Sequence, residues 1–172
     1  MKRVVAPFGD DVVHMRLIEE RDLANTLAWR NRDDARIWFK SEALIEMQQH
    51  RAWFDRYLSR DDDFLFVVEA ACQPVGQASV YDIDWRTGRA ELGRFLVSPE
   101  ASRQGYLARA CARLVRFCAD SFQLSALFLE VKEANDRAIE LYRRNDFVEC
   151  WRERGIIRME RQLTQDHGAR TS

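Results

Sequence analysis

The sequence has almost no net charge, no long apolar run, no repeat and no paired cysteine spacing. Each absence removes a class of function. The 27 Lys and Arg residues meet 28 Asp and Glu, a formal net charge of -1, so no global positive field exists to hold a nucleic acid. Apolar residues nowhere run for the ~20 positions that a membrane-crossing helix needs. The opening MKRVVAPFGDDVVHM has too short an apolar stretch for a secretion signal. A cytoplasmic protein without nucleic-acid or membrane partners is expected. Cys72, Cys111, Cys118 and Cys150 show no C-x-x-C spacing and are read as reduced, forming neither a disulfide framework nor a metal site. Cys111 and Cys118, seven apart, share one helix face and are expected to pack there.

What is present is an ordinary globular profile: 172 residues, 47% hydrophobic and 32% charged, enough for one domain with a sizeable core. HMRLIEE alternates as a short strand. A helix is expected over 22–36 and another over 42–58, with Ser41 as its N-cap. FLFVVEA reads as a buried strand, CQPVG as a turn, and QASVYDID and RAELGRFLVS as an antiparallel hairpin closed by WRTG. A helix follows over 104–122, then the interior strand ALFLEV. NDRAIELYRRN is a short amphipathic helix capped by Asn135, and DFVECWRER and IIRMERQL are closing strands. The order βααβββαβαββ implies a mixed sheet with helices on both faces, of α/β to α+β class. The domain is expected to span 14–163, with 1–13 and 164–172 as flexible ends.

Two segments carry more than fold. The first is VSPEASRQGYLARA, where a strand ends at Val97-Ser98-Pro99 and a turn with Gly105 opens a helix; backbone amides at a helix start suit phosphate. The second is LFLEVKEANDRAIELYRRNDF, in which Asn135 and Tyr142 stand two helical turns apart on one face, with Ala138 and Leu141 between them. Together these segments resemble the GCN5-related N-acetyltransferase (GNAT) family. The resemblance runs over most of the chain. In the family, a loop close to Q/R-x-x-G-x-G/A holds the pyrophosphate of acetyl-CoA. Here Gly105 matches, while Ser102 and Leu107 depart from the pattern. Asp146 replaces the usual Gly before Phe147, at a helix end where Asn145 and Asp146 both tolerate left-handed backbone.

The resemblance implies the GNAT fold, with two neighbouring strands splayed apart, and acetyl-CoA as co-substrate with no metal. It implies cofactor contacts from Phe95, Val97, Arg103, Gln104, Gly105, Tyr106, Leu107, Ala108 and Asn135. Tyr142 would protonate the leaving thiolate and Glu91 would take the amine proton, with His14, His50 or a water chain as alternatives. The acceptor wall lies in the first two helices, where Arg30, Asn31 and Trp38 would grip and stack on a substrate. The segment WRN…R-x-W…H-x-x-W-F is similar to enzymes acting on nucleotide-linked amino sugars and to ribosomal-protein N-terminal acetyltransferases. The expected activity is acetyl transfer by direct attack of a small-molecule amine, preferably a nucleotide-linked amino sugar. A protein N-terminus or another small amine is the alternative acceptor, and a non-catalytic acetyl-CoA sensor or interaction module is the alternative of another class. A homodimer is compatible with the late strands.

Overall fold

The structure, a computed structural model, describes residues 1–164. Eight strands form one sheet in the order β1-β2-β3-β4-β5-β6-β8-β7. The strands are β1 (Phe8–Gly9), β2 (Val13–Leu17), β3 (Asp63–Ala70), β4 (Gln73–Asp84), β5 (Arg89–Val97), β6 (Ala126–Lys132), β7 (Val148–Glu153) and β8 (Ile156–Gln162). All neighbours are antiparallel except β5 and β6. The helices are α1 (Leu23–Asn31), α2 (Asp33–Arg36), α3 (Met47–Ser59), α4 (Tyr106–Asp120) and α5 (Asp136–Arg143). The mixed sheet covered on both sides is the GNAT architecture that the resemblance implies.

β3 reads as a continuous apolar run because both its faces are covered. Phe64, Phe66 and Val68 join the large core beneath α4, whereas Leu65 and Val67 join a smaller cluster with Leu23, Phe54 and Tyr57 of α1 and α3. α4 buries Ala110, Cys111, Leu114, Val115, Cys118 and Ala119, the stripe that helical periodicity requires. Cys111 and Cys118 pack there as expected, and all four cysteines are free thiols.

Several local expectations need correction. The first helix breaks at Arg32, whose backbone is extended; the guanidinium binds Asp34 on one side and the Val97 carbonyl (2.9 Å) on the other. Asp33 and Asp34 then open α2, where carboxylates favour a helix N-terminus. The next helix begins at Met47 rather than 42, because Glu46 and Gln49 form a reciprocal capping box. Ser41 is not the N-cap of this helix; its carbonyl accepts from Arg30 at 2.5 Å and its Oγ from Ala43 N at 3.4 Å. The supposed turn CQPVG is confined to Ala71 and Cys72, and Pro74 is already in β4. It is tolerated there because the β3–β4 ladder shifts register beside it.

Within the first thirteen residues, expected as a flexible end, several side chains and a short strand dock on the domain. Phe8 and Gly9 pair with β2. Lys2 Nζ donates to the carbonyls of Tyr57, Arg60 and Asp63 and lies 3.6 Å from the Tyr57 ring centroid. Arg3 pairs with Asp61 over the Trp85 ring. The flexible end expected at 164–172 lies, but for Thr164, outside the described residues.

Candidate active site

β5 and β6 pair only from Arg89↔Ala126 to Glu91↔Phe128, and beyond that point they part. The parting has a local cause. On the other side of β5, Ser79↔Gly93 gives way to Gln77↔Leu96, so β5 carries an extra residue, and Arg94 takes φ 55°. This bulge re-aims the end of the strand away from its parallel neighbour. Strand ends that diverge leave backbone groups facing a cleft rather than a ladder.

The mouth of that cleft is the start of α4. Arg103 (φ 64°) and Gly105 (φ 78°) both adopt left-handed backbone, and no side chain caps the helix. Among the described residues, none of the backbone N–H groups of 103–108 donates to a protein acceptor; the first bond is Arg109 N to the Gly105 carbonyl at 3.2 Å. A run of unpaired amides at the positive end of a fifteen-residue helix is an anion cradle. A Cβ added to Gly105 meets nothing within 4 Å, so the space over the turn is open. Leu107, the departure from the motif, does not fill it: its Cδ2 lies against β4 at Gly76. Arg103 and Gln104 are exposed at the same turn, and Tyr106 donates its hydroxyl to Gln104 Oε1 at 2.9 Å. The Arg103 guanidinium pairs with no carboxylate among the described residues. Ala108 is exposed in the first turn.

α5 closes the far side. Asn135 caps it, its Oδ1 accepting from Ala138 N at 3.2 Å. Tyr142 is buried between the Phe95 ring (5.9 Å) and the Phe147 ring (6.0 Å), both edge-on, and its hydroxyl bonds to no described residue. Burial, and Cys111 beside it, push its phenol above the ordinary range, so it keeps its proton at neutral pH. The helix ends with Asp146 at φ 61°, and Phe147 N donates to the Tyr142 carbonyl, the left-handed termination that the sequence implied.

On the opposite face of the sheet lies a cavity of about 440 Å³, walled by α1, the segment before α3, α3 itself and β4–β5. Arg30, His50, Gln77 and Arg94 line it. Arg94 donates to the buried Asp63 carboxylate at 2.8 Å and stacks over Tyr81, whose hydroxyl donates to Glu91 Oε1 at 2.8 Å. Burial and the Glu91 carboxylate hold the Tyr81 phenol well above its usual range. His50 Nε2 meets Thr26 Oγ1 at 3.0 Å; burial lowers its pKa, so the ring is neutral at pH 7.

A family profile described as an acetyltransferase (GNAT) domain matches residues 13–148. The chain belongs to the GNAT acetyltransferase family. It is 28% identical over 138 residues to the spermidine N(1)-acetyltransferase of Escherichia coli K12, across 78% of this chain and 72% of that protein. The spermidine N-acetyltransferase of Vibrio cholerae, solved with CoA and spermine, superposes with TM-score 0.84 at 19% identity, over 91% of this chain and 98% of that one. A domain from Methanocaldococcus jannaschii superposes with TM-score 0.75 at 19% identity, over 90% of this chain and 100% of that one. This GNAT enzyme is therefore an N-acetyltransferase that takes acetyl-CoA as co-substrate and a small amine as acceptor. The sensor alternative falls with that finding. The narrower sugar or ribosomal-protein subgroup gains no support from these relatives; the two acetyltransferases among them are named for spermidine.

The geometry sorts the remaining expectations. Residues 103–108 form the turn and first residues of α4, the Phe95 and Tyr142 rings meet edge-on, and Asn135 caps α5. Val97 stands at the strand end, but its carbonyl already accepts from Arg32. Glu91 is bound to Tyr81 rather than to Arg89 or Arg94, which pair with Glu160 and Asp63. His14 is exposed on β2, away from the cavity. Of the acceptor trio only Arg30 lines the cavity. Asn31 spends both amide atoms on the Ile45 backbone, at 2.8 and 2.9 Å, and so pins the wall instead of gripping a substrate. Trp38 is 39% exposed and outside the cavity lining; the indole that lines the cavity is that of Trp53. Gln77 and Arg94 went unread in the sequence. The one signal was a polar pair on a strand and its neighbour at positions whose alternation faces inward.

Proposed function

We propose that this acetyltransferase passes the acetyl group directly from the thioester to a primary amine held in the cavity between α1, α3 and β4. The diphosphate of the coenzyme sits on the amides of 103–108 with Arg103 beside it, and the pantetheine arm follows the end of β5 toward Asn135. Holding both reactants across the bulge supplies much of the rate, because proximity replaces a bimolecular encounter. Tyr142 gives its proton to the thiolate as the C–S bond breaks. The amine proton moves to the Tyr81 oxygen as the Tyr81 proton moves to Glu91. The raised Tyr81 phenol is a relay, and the carboxylate is the terminal base. A covalent thiol route is disfavoured: burial pushes the Cys111 thiol up to about 12 and Cys118 higher still.

The observation that carries this reading is the unbroken run of unpaired amides at the cleft that leads to the free Tyr142 hydroxyl. The test is a thermal melt with and without CoA, then CoA-thiol release with amines. Stabilisation by CoA, with thiol release that collapses in Tyr142→Phe, is the expected result; no stabilisation by CoA ends the reading. A polyamine acceptor is the second reading, favoured by the substrate of the E. coli relative.

A further inference from the structure

We propose that the acceptor of this enzyme carries an oxyanion, a carboxylate or a phosphate, on the same small molecule as its primary amine, with the anion set against Arg30 and the amine against Gln77. The inference rests on the cavity being the acceptor site.

Two residues on opposite walls of the cavity each hold a buried polar atom without a partner: Arg30 Nη1 on α1 and Gln77 Oε1 on β4. Arg30 stacks over the Phe39 ring at 4.2 Å and donates Nη2 to the Ser41 carbonyl, yet among the described residues no carboxylate answers its charge. Burial and the neighbouring Arg36 disfavour its cation, so a ligand anion relieves both. Gln77 donates Nε2 to the Arg94 carbonyl at the bulge, 3.1 Å away. That bond fixes the amide and leaves Oε1 as an acceptor with nothing to accept, beside the strand end where the thioester lies. An N–H donor completes it.

The charge around the cavity points the same way. No Asp or Glu is among its lining residues. Arg94 is neutralised by Asp63, leaving Arg30 as the uncompensated charge. Of the acids flanking the cavity, Asp33 pairs with Arg36 at 2.9 Å, Asp34 with Arg32 at 2.5 Å and Glu42 with Lys132 at 2.8 Å, and the Glu46 carboxylate accepts from the Gln49 backbone N–H in the capping box. A polyamine brings several ammonium groups to a lining that offers them no carboxylate. A molecule with one amine and one anion matches both unpartnered atoms.

The test measures thiol release from acetyl-CoA with γ-aminobutyrate, O-phosphoethanolamine and spermidine. At least one anionic amine is expected to exceed spermidine by about 10-fold or more in kcat/KM, and the ratio between the two anionic arms distinguishes carboxylate from phosphate. Arg30→Gln should raise KM for the preferred anionic amine about 10-fold with kcat near wild type, and Arg30→Lys should recover part of the loss. Spermidine equal to or better than both anionic amines overturns the proposal, as does R30Q with an unchanged ratio. Should R30Q fail to fold, R30K carries the same comparison. Should no amine turn over, melts with CoA present decide: added stability with an anionic amine but not with spermidine supports the proposal, and its absence overturns it. Stabilisation by CoA alone reports separately on the coenzyme site.

Discussion

Against α4, β3 presents Phe64, Phe66 and Val68, which join Ala78, Val80, Leu92, Leu127 and Leu129 in one apolar core; against α1 and α3, neighbouring positions present Leu65 and Val67 beside Gln77, Ser79 and Tyr81. Among the described residues, three buried side-chain atoms lack a partner: Arg30 Nη1, Gln77 Oε1 and Ser79 Oγ, all on the second face. An unpaired buried polar atom costs about 1–3 kcal/mol. The face under α4 is built for stability. The face under α1 and α3 carries that cost at the atoms which, in the proposed function, a ligand would complete.

The sharpest way to break this contrast is at Tyr142, the point where the stable face meets the chemistry. Tyr142→Phe keeps both edge-on ring contacts and loses only the hydroxyl, so kcat should fall by about 10²–10⁴ while the melting temperature holds. Steady-state thiol release and a thermal melt on one preparation check both halves. Gly105→Ala comes next: at φ 78° a side chain is strained, and the new Cβ meets no protein atom, so its effect falls on the coenzyme. Affinity for CoA, read by calorimetry, should weaken about 10-fold, with roughly 1 kcal/mol of stability lost.

Two serines sharpen the comparison. Ser98 Oγ accepts from Ala101 N at 3.3 Å and caps a short turn, so Ser98→Ala should cost about 1 kcal/mol in urea unfolding. Ser79→Ala removes an unpaired hydroxyl and should be neutral or stabilising by up to about 1 kcal/mol. Equal losses at both sites would erase the distinction between the faces.

The smallest effect is a pH slope. His50 has a folded pKa below its ordinary 6.5 because of burial. Between those two values the unfolded chain binds more protons, so the His50 contribution is present above pH ~6.5 and is lost as pH falls through that window. Melts from pH 7.5 to 5 should show this slope, and His50→Gln should flatten it.

Periodicity made the two-sided sheet, the stripe of α4 and the face shared by Asn135 and Tyr142 legible, since each depends on spacing within one element. The break at Arg32 and the docked N-terminus were hidden, because each is decided by a partner distant in sequence: the Val97 carbonyl and the carbonyls around Lys2; the late start of α3 turns instead on a local capping box, with Glu46 in place of the usual Ser or Thr. The cleft followed the same division. The turn and helix start at 103–108 were marked by a motif within one segment, while the bulge at Arg94 that opens the cleft depends on register with β4. Asn31 and Trp38 were the natural choices for a polar-aromatic pocket, and composition cannot tell a residue that braces a wall from one that faces the ligand.

The Arg32 guanidinium ties the junction of α1 and α2 to the Val97 carbonyl, 65 residues onward. In the proposed arrangement, one strut thus joins the strand end beside the coenzyme to the wall beside the amine. Whatever coupling that strut carries between two ligands is reciprocal: a change the amine makes in the hold on the coenzyme is matched by an equal factor the other way.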